Sequence, residues 1–291
     1  MDPLKSIEAA RAEFEKLVRE IRPELHRYCA RMTGSVVDGE DVVQDTLAKA
    51  FYLLPQTAEI AHLRSWIFRI AHNKAIDHTR RYAGRFGESL DDHPHLSATT
   101  PEIEAAELAK FGLAVFMRLT PQQRGAVILK DVLGHSLTEI AEILETSVPA
   151  VKGALNRGRT SLRKLGDGAS TEAPPLDESQ VSLLQNYVQH FLARDFDQLR
   201  ALLAQDVQLD VVGIAQARGA SGVGNYFHRY QALTDWCPQV GSVEGKPAIV
   251  VADQSGALAY FILIDWDNGQ VKRIRDYRHV RYLLADAAVQ R

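Results

Sequence analysis

Leu137-Thr138-Glu139-Ile140-Ala141-Glu142-Ile143-Leu144, then Glu145-Thr146-Ser147, then Val148-Pro149-Ala150-Val151-Lys152-Gly153-Ala154-Leu155-Asn156-Arg157-Gly158-Arg159, places two helical patterns on either side of a three-residue turn signal. Leu137, Ile140, Ala141 and Leu144 recur at helical spacing and predict a short helix. Glu145-Thr146-Ser147 predicts a tight turn, and the Ser147 hydroxyl can accept an orphan amide at the start of a second helix. Pro149 in that first turn costs no intrahelical bond. Val148, Val151, Leu155 and Leu162 then face inward, while Lys152, Asn156, Arg157 and Arg163 face out. Ala141 is small enough to let the two helices approach closely. A short helix, a tight turn and a capped, base-rich second helix make a helix-turn-helix. Its second helix fits the major groove, with early outward residues at base edges and later Arg and Lys on phosphates. Pro149, Lys152, Asn156, Arg157 and Arg159 are the candidate DNA contacts.

Upstream, Thr120-Pro121 predicts another helix start, and helical pattern covers about 104–117. Residues 83–104 are rich in Gly, Pro and Thr and predict a linker. Before it, three helices are expected. Leu25, Tyr28, Cys29 and Met32 line the first, which Gly34 stops. Val42, Val43, Leu47, Ala50, Phe51 and Leu54 line the second, from about Asp38 to Leu54, which Pro55 ends. Trp66, Ile67, Ile70, Ala71 and Ile76 line the third, from about Arg64 to Tyr82. Charge is sorted along this half. Residues 64–85 hold Arg64, Arg69, Lys74, Arg80, Arg81 and Arg85 against Asp77 alone, residues 86–107 are acidic without a base, and residues 147–166 are basic without an acid. The net charge of −3 therefore conceals two basic helices joined by an acidic connector.

Glu40-Asp41-Val42-Val43-Gln44-Asp45, followed by Trp66-Ile67-Phe68-Arg69-Ile70-Ala71-His72-Asn73-Lys74-Ala75-Ile76-Asp77-His78-Thr79-Arg80-Arg81, resembles the second region of sigma-70 factors of the extracytoplasmic-function (ECF) group. Leu119-Thr120-Pro121-Gln122-Gln123-Arg124, then Glu139-Ile140-Ala141-Glu142-Ile143-Leu144 and Ala150-Val151-Lys152, resembles their fourth region. The resemblance covers residues 20–166 and implies two all-α sigma domains, 1–85 and 108–166, joined by the acidic linker 86–107. It implies two partners, core RNA polymerase and promoter DNA. Glu40, Asp41, Gln44 and Asp45 would contact the polymerase, as carboxylates and an amide suited to Arg and Lys; a merely solvated acidic face is the plain alternative. Arg69, Asn73, Lys74, Arg80 and Arg81 would meet the −10 element, with the loop from about Thr57 to His62 holding an unstacked base. Pro149, Lys152, Asn156, Arg157 and Arg159 would meet the −35 element. Trp66 reads as core rather than as a stacking platform, and His72 and His78 as polar helix-surface residues rather than metal ligands. The chain departs from the family pattern at Gly153 and Gly158, glycines inside a helix that each cost about 1 kcal/mol against alanine.

After a second linker, 167–178, with Pro174-Pro175, the texture changes. Two helical patterns (about 179–193 and 195–204) precede strand-like runs at Val207–Val212, Ala248–Ala252, Ala257–Trp266 and Val271–Tyr277, with a helix near 221–233. Asp267-Asn268-Gly269 predicts a hairpin turn. The expectation is an α+β domain, 179–291, of helices on a curved antiparallel sheet. Phe191-Leu192-Ala193-Arg194-Asp195-Phe196-Asp197-Gln198-Leu199, Leu203-Ala204-Gln205-Asp206-Val207 and Gly245-Lys246-Pro247-Ala248 make it similar to SnoaL-like domains, which implies a cone enclosing a pocket and a role in modulating the sigma domains. Asp210, Tyr226, His228, Trp236, Tyr260 and Asp276 are candidate pocket residues, and a small-molecule ligand is a candidate partner. The fold also carries enzymes that use a pocket carboxylate as base, but the His–Asp or Tyr–Asp spacing such chemistry needs is not visible, so no enzyme activity is expected.

The 291 residues, 46% hydrophobic and 24% charged, are ordinary for globular domains. Two distant cysteines, Cys29 and Cys237, argue against a disulfide framework or a zinc site, and no metal or cofactor is expected. There is no apolar run of membrane-spanning length and no signal-peptide pattern, so a cytoplasmic protein is expected. The composite reading is a sigma factor tuned by its own third domain. Its rivals are a ligand-sensing helix-turn-helix regulator and an enzyme carried by the third domain. The sequence leaves open whether a separate anti-sigma protein acts on it.

Overall fold

The computed structural model describes residues 3–56, 62–86, 112–165, 176–231 and 237–291, with side chains apart from those of 3–10, 56 and 82–86. The chain divides into two compact units, Met1–Ser170 and Thr171–Arg291, each with its own hydrophobic core.

The first unit is helical: α1 (Pro3–Thr33), α2 (Val36–Leu53), α3 (Leu63–Phe86), α4 (Leu113–Phe116), α5 (Pro121–Val127), α6 (Leu137–Ile143) and α7 (Val148–Leu165). Gly34, in the left-handed region at φ +81°, ends α1, and Ser35 caps α2 by accepting from the Asp38 amide at 3.2 Å. Gly39 lets α2 lie directly on α1, because a Cβ there would stand 2.6 Å from the Ala30 backbone. The predicted stripes of α1 and α3 are inward as expected, with Leu25, Tyr28, Cys29, Met32, Ile67, Ile70 and Ala71 buried and Trp66 packed at the core margin.

Two expectations are corrected here. Phe51 is 44% exposed rather than inward, although Ala50 beside it is buried; the Arg11 guanidinium covers its ring at 5.0 Å. His72 is buried, not a surface residue. Its Nδ1 shares a 2.7 Å hydrogen bond with the Tyr28 hydroxyl, and burial lowers its pKa to about 4.

Residues on both sides of the acidic linker contribute to one core, from Leu25 and Phe68 to Ile140 and Leu155. Arg124, the first residue of α5 to be wholly enclosed, ties the halves together. Its guanidinium donates to the carbonyls of Met32 at the end of α1 (2.5 Å), Leu119 (3.0 Å) and Met117 (3.3 Å). Glu24 of α1 adds a second link, bonded to His135 at 3.0 Å and to Arg64. Burial works against the Glu24 charge, but those hydrogen bonds outweigh it and hold the carboxyl below its usual pKa. A π-helical turn, Ile128–Val132, leads from α5 toward α6. α3 runs on to Phe86, past its expected end near Tyr82 and into the segment expected as linker, and residues 87–107 of the expected linker lie outside the described residues.

The second unit carries α8 (Glu178–Leu192), α9 (Phe196–Ala201), α10 (Gly219–Gln231) and seven strands: β1 (Leu203–Val211), β2 (Ala215–Arg218), β3 (Cys237–Val243), β4 (Lys246–Ala252), β5 (Leu258–Asp267), β6 (Gln270–Asp276) and β7 (Val289–Gln290). They form one sheet in the order β2-β1-β6-β5-β4-β3-β7. The sheet is mixed, which corrects the antiparallel expectation: β1 and β6 run parallel, with Leu209 opposite Ile274. The pattern expected to be helical through 204 gives way at Ala201, and Leu203 and Ala204 open β1, where both are buried. Asn268 and Gly269, both at positive φ, form the β5–β6 turn as the Asp-Asn-Gly signal predicts. Phe191, Phe196, Phe227, Tyr187 and Tyr230 bring an aromatic helix layer onto the buried strand residues.

Candidate functional site

The helix-turn-helix is built as its sequence requires. Ser136 and Glu139 form a reciprocal cap at the start of α6: the Glu139 amide donates to the Ser136 hydroxyl at 3.2 Å, and the Ser136 amide donates to the Glu139 carboxylate at 2.8 Å. Those hydrogen bonds lower the Glu139 pKa. Glu145 takes the left-handed conformation at φ +51° to reverse the chain, and Ser147 accepts from Ala150 at 3.4 Å to open α7. Val151, Leu155 and Leu162 are buried beneath α7; Pro149 and Lys152 are exposed on its outer side, and Asn156 and Arg157 are half-buried there.

Arg159 departs from the expected DNA face. It is 8% exposed, and its guanidinium grips Asp131 of the π-helical turn through Nε at 2.9 Å and Nη2 at 2.5 Å. A bidentate, enclosed pair of this kind fixes α7 against the turn instead of reaching a phosphate. Gly158 has a structural reason. A Cβ there would meet Val127 Cγ2 at 2.7 Å and the Gln123 carbonyl at 3.3 Å, so the glycine admits α5 against α7. Gly153 has none of comparable force, since only the mobile end of Arg157 stands near, at 3.2 Å.

On α3, Asn73, Arg80 and Arg81 are exposed and share one stripe. Arg69 lies 3.7 Å from Glu145, and Lys74 lies 3.8 Å from Asp45. Long, partly exposed pairs like these hold weakly and exchange readily for another anion. On α2 the expected set divides. Glu40 is fully buried and bonded to Arg22 at 2.5 Å, so it anchors α2 to α1 and is not a surface contact. Asp41 and Gln44 are half-buried and Asp45 is exposed; the Gln44 amide nitrogen is enclosed, without a hydrogen-bond partner among the described residues. Of the loop from about Thr57 to His62, residues 57–61 lie outside the described residues.

In the second unit a cavity of about 320 Å³ opens between α10, β1, β2 and the end of β6. Asp276 and Tyr226 line it, and Asp276 is 2% exposed. Its carboxyl accepts from the Tyr230 hydroxyl at 2.7 Å and from the Arg278 amide at 2.9 Å, and Tyr230 also meets the Tyr260 hydroxyl at 3.3 Å. Burial raises the Asp276 pKa despite those bonds. Asp210 is placed elsewhere. Its strand neighbours Leu209 and Val211 line the cavity, so by alternation Asp210 points to the other face, where it lies 3.8 Å from Arg273. The two candidate carboxylates therefore do not share a site. Trp236 lies outside the described residues. Tyr230, Arg278 and His279 belong to this pocket and were not singled out for it in the sequence, because only the register of α10 and β6 brings them together. Among the described residues no cluster of His, Cys, Asp or Glu could hold a metal, and no helix is long and apolar enough to cross a membrane.

The family model Sigma-70 region 2 matches residues 17–85, and the model Sigma-70, region 4 matches residues 113–162. The ECF RNA polymerase sigma factor SigG of Mycobacterium tuberculosis is 32% identical over 226 residues, 67% of this chain; the chain spans 60% of that relative's length. The RNA polymerase sigma factor YlaC of Bacillus subtilis is 30% identical over 159 residues, 53% of this chain and 92% of its own length. The crystal structure of the Mycobacterium tuberculosis extracytoplasmic function sigma factor SigJ is similar over 90% of this chain and 95% of its own, at 19% identity and a TM-score of 0.36. With both regional motifs present in order on one helical core, the chain belongs to the ECF group of sigma-70 family RNA polymerase sigma factors.

Proposed function

We propose that this chain binds core RNA polymerase in the cytoplasm and directs it to promoter DNA, with its α+β unit tuning that activity and catalysing no reaction. The observation that carries the reading is the capped α6–turn–α7 element, with Lys152, Asn156 and Arg157 on its outer side, built onto the same core as the basic stripe of α3. In this assignment residues 1–85 hold polymerase and the −10 element, and residues 108–166 hold the −35 element. Asp41, Gln44 and Asp45 supply the polymerase contact, with Asp45 exposed and Asp41 and Gln44 half-buried at the edge of α2. Asn73, Arg80 and Arg81, with Arg69 and Lys74 once released from their acids, track the −10 strand. Lys152, Asn156 and Arg157 serve the −35 duplex beside Pro149. SnoaL-like modulation fits a unit with its own core and its own cavity.

The test is transcription from a cognate promoter by core polymerase with the purified chain, across a salt series. Lys152→Ala should weaken promoter binding at every salt concentration and flatten the salt slope by about one phosphate. Removal of residues 169–291 should change output, upward if the unit restrains and downward if it supports. Output unchanged by the deletion across salt and temperature would remove the modulating role.

A further inference from the structure

The stripe Gly222, Asn225, Tyr226, Arg229 and Tyr230 of α10 forms one wall of the cavity in the second unit. The lining is graded. Leu209, Tyr226, Tyr230 and Asp276 are buried and form its floor, while Asn225, Arg229 and His279 are exposed at its mouth. At the floor the Asp276 carboxyl is occupied by Tyr230 and the Arg278 amide, but the Tyr226 hydroxyl is different. It is enclosed beside Asp276 and Tyr230, and makes no hydrogen bond among the described residues. A hydroxyl buried in this way is costly unless something in the cavity meets it. At the mouth the charge is one-sided. Two guanidinium groups, of Arg229 and Arg278, line the cavity against the single carboxyl of Asp276, whose charge burial disfavours. The Arg278 guanidinium is held in place over the rings of Tyr260 (5.5 Å) and Tyr230 (6.0 Å). The rest of the lining, Val211, Ala215, Ala217 and Gly222 with Gln216, is mostly apolar, and the volume is at the lower end of the range of about 300–1,000 Å³ for small-molecule sites.

We propose that this cavity binds a small cyclic apolar acid, its carboxylate at the Arg229–His279 mouth and a second polar oxygen at its far end meeting the Tyr226 hydroxyl. A wholly apolar ligand would leave Tyr226 unsatisfied, and a cation would meet the positive mouth. An acid without the far oxygen would use only half of the site.

The site is tested on the full chain by calorimetry, with para-hydroxybenzoate, benzoate and para-hydroxybenzamide as probes. Para-hydroxybenzoate should bind saturably at one site. Benzoate, lacking the floor contact, and para-hydroxybenzamide, lacking the charge, should each bind about tenfold more weakly. Tyr226→Phe keeps the ring packing and should erase the preference for para-hydroxybenzoate over benzoate. Arg229→Gln, at an exposed position, should erase the preference for acid over amide. Absence of saturable binding at millimolar probe, equal binding of acid and amide, or a hydroxyl preference that survives Tyr226→Phe would each overturn the proposal. No polymerase or DNA enters the measurement, so its outcome is independent of the transcription reading.

Discussion

Arg124 satisfies, with one guanidinium, three carbonyls that lie on either side of the acidic linker, and it is 1% exposed. Burial lowers its pKa to about 10, which leaves it charged at neutral pH. Arg124→Met would keep the bulk but strand the Met32 and Leu119 carbonyls, and should cost about 3 kcal/mol in denaturant unfolding of the helical unit. Arg124→Lys should recover only part of this, because one ammonium cannot present the same planar fork. His72 sets a pH dependence. In the unfolded chain its imidazole binds a proton at the ordinary value of 6.5, but in the fold only at about 4. Between those values the unfolded state holds the extra proton, so this contribution is full above pH 6.5 and falls as the pH drops toward 4. The loss is on the order of 3 kcal/mol across that window. His72→Gln can still bond Tyr28 and does not titrate; its unfolding free energy should be flatter over the same range. Both residues stand in quoted motifs. Their burial was not legible, because it depends on α5 and the π-helical turn closing over α1 and α3.

Among the helices and strands, the two glycines of α7 have opposite roles. Gly153→Ala meets only a movable guanidinium and should stabilise by about 0.5–1 kcal/mol. Gly158→Ala forces a methyl against Val127 and should destabilise by about 1–3 kcal/mol, its helical gain outweighed by overpacking. Thermal unfolding of the two variants beside the native chain checks both, and equal shifts would mean that the α5–α7 contact is not as close as described. The sequence treated both glycines alike, as departures from a family pattern, because the neighbour that distinguishes them is far along another helix. Elements with strong periodicity or caps were legible: α1, α2, α3, the helix-turn-helix and the β5–β6 hairpin all lie where their residues predict. Missed elements had weak signals. β3, Cys237-Pro238-Gln239-Val240-Gly241-Ser242-Val243, contains a proline and a glycine and little alternation, and β2 and β7 are very short. Of the site residues, those on outward stripes were legible as types. Glu40, Arg159 and Asp210 were not, because a charge in a motif does not reveal whether Arg22, Asp131 or the far face of a strand has claimed it.

Taken as one molecule, the chain couples an all-helical sigma unit to an α+β unit that folds around its own aromatic core and encloses its own cavity. The net charge of −3 is compatible with binding nucleic acid because the sign is sorted along the chain, with bases gathered on α3 and α7. The proposed function assigns the acidic edge of α2 to polymerase and the basic stripes of α3 and α7 to promoter DNA. The most direct measurement is co-elution of the purified chain with bacterial core RNA polymerase, beside an Asp41→Lys/Gln44→Ala variant whose changes lie at half-buried edge positions of α2. The native chain should co-elute, and the variant, shown to be folded by its thermal transition, should not. Co-elution of both alike would contradict the α2 contact, and failure of the native chain and of residues 1–168 alike would contradict the central claim.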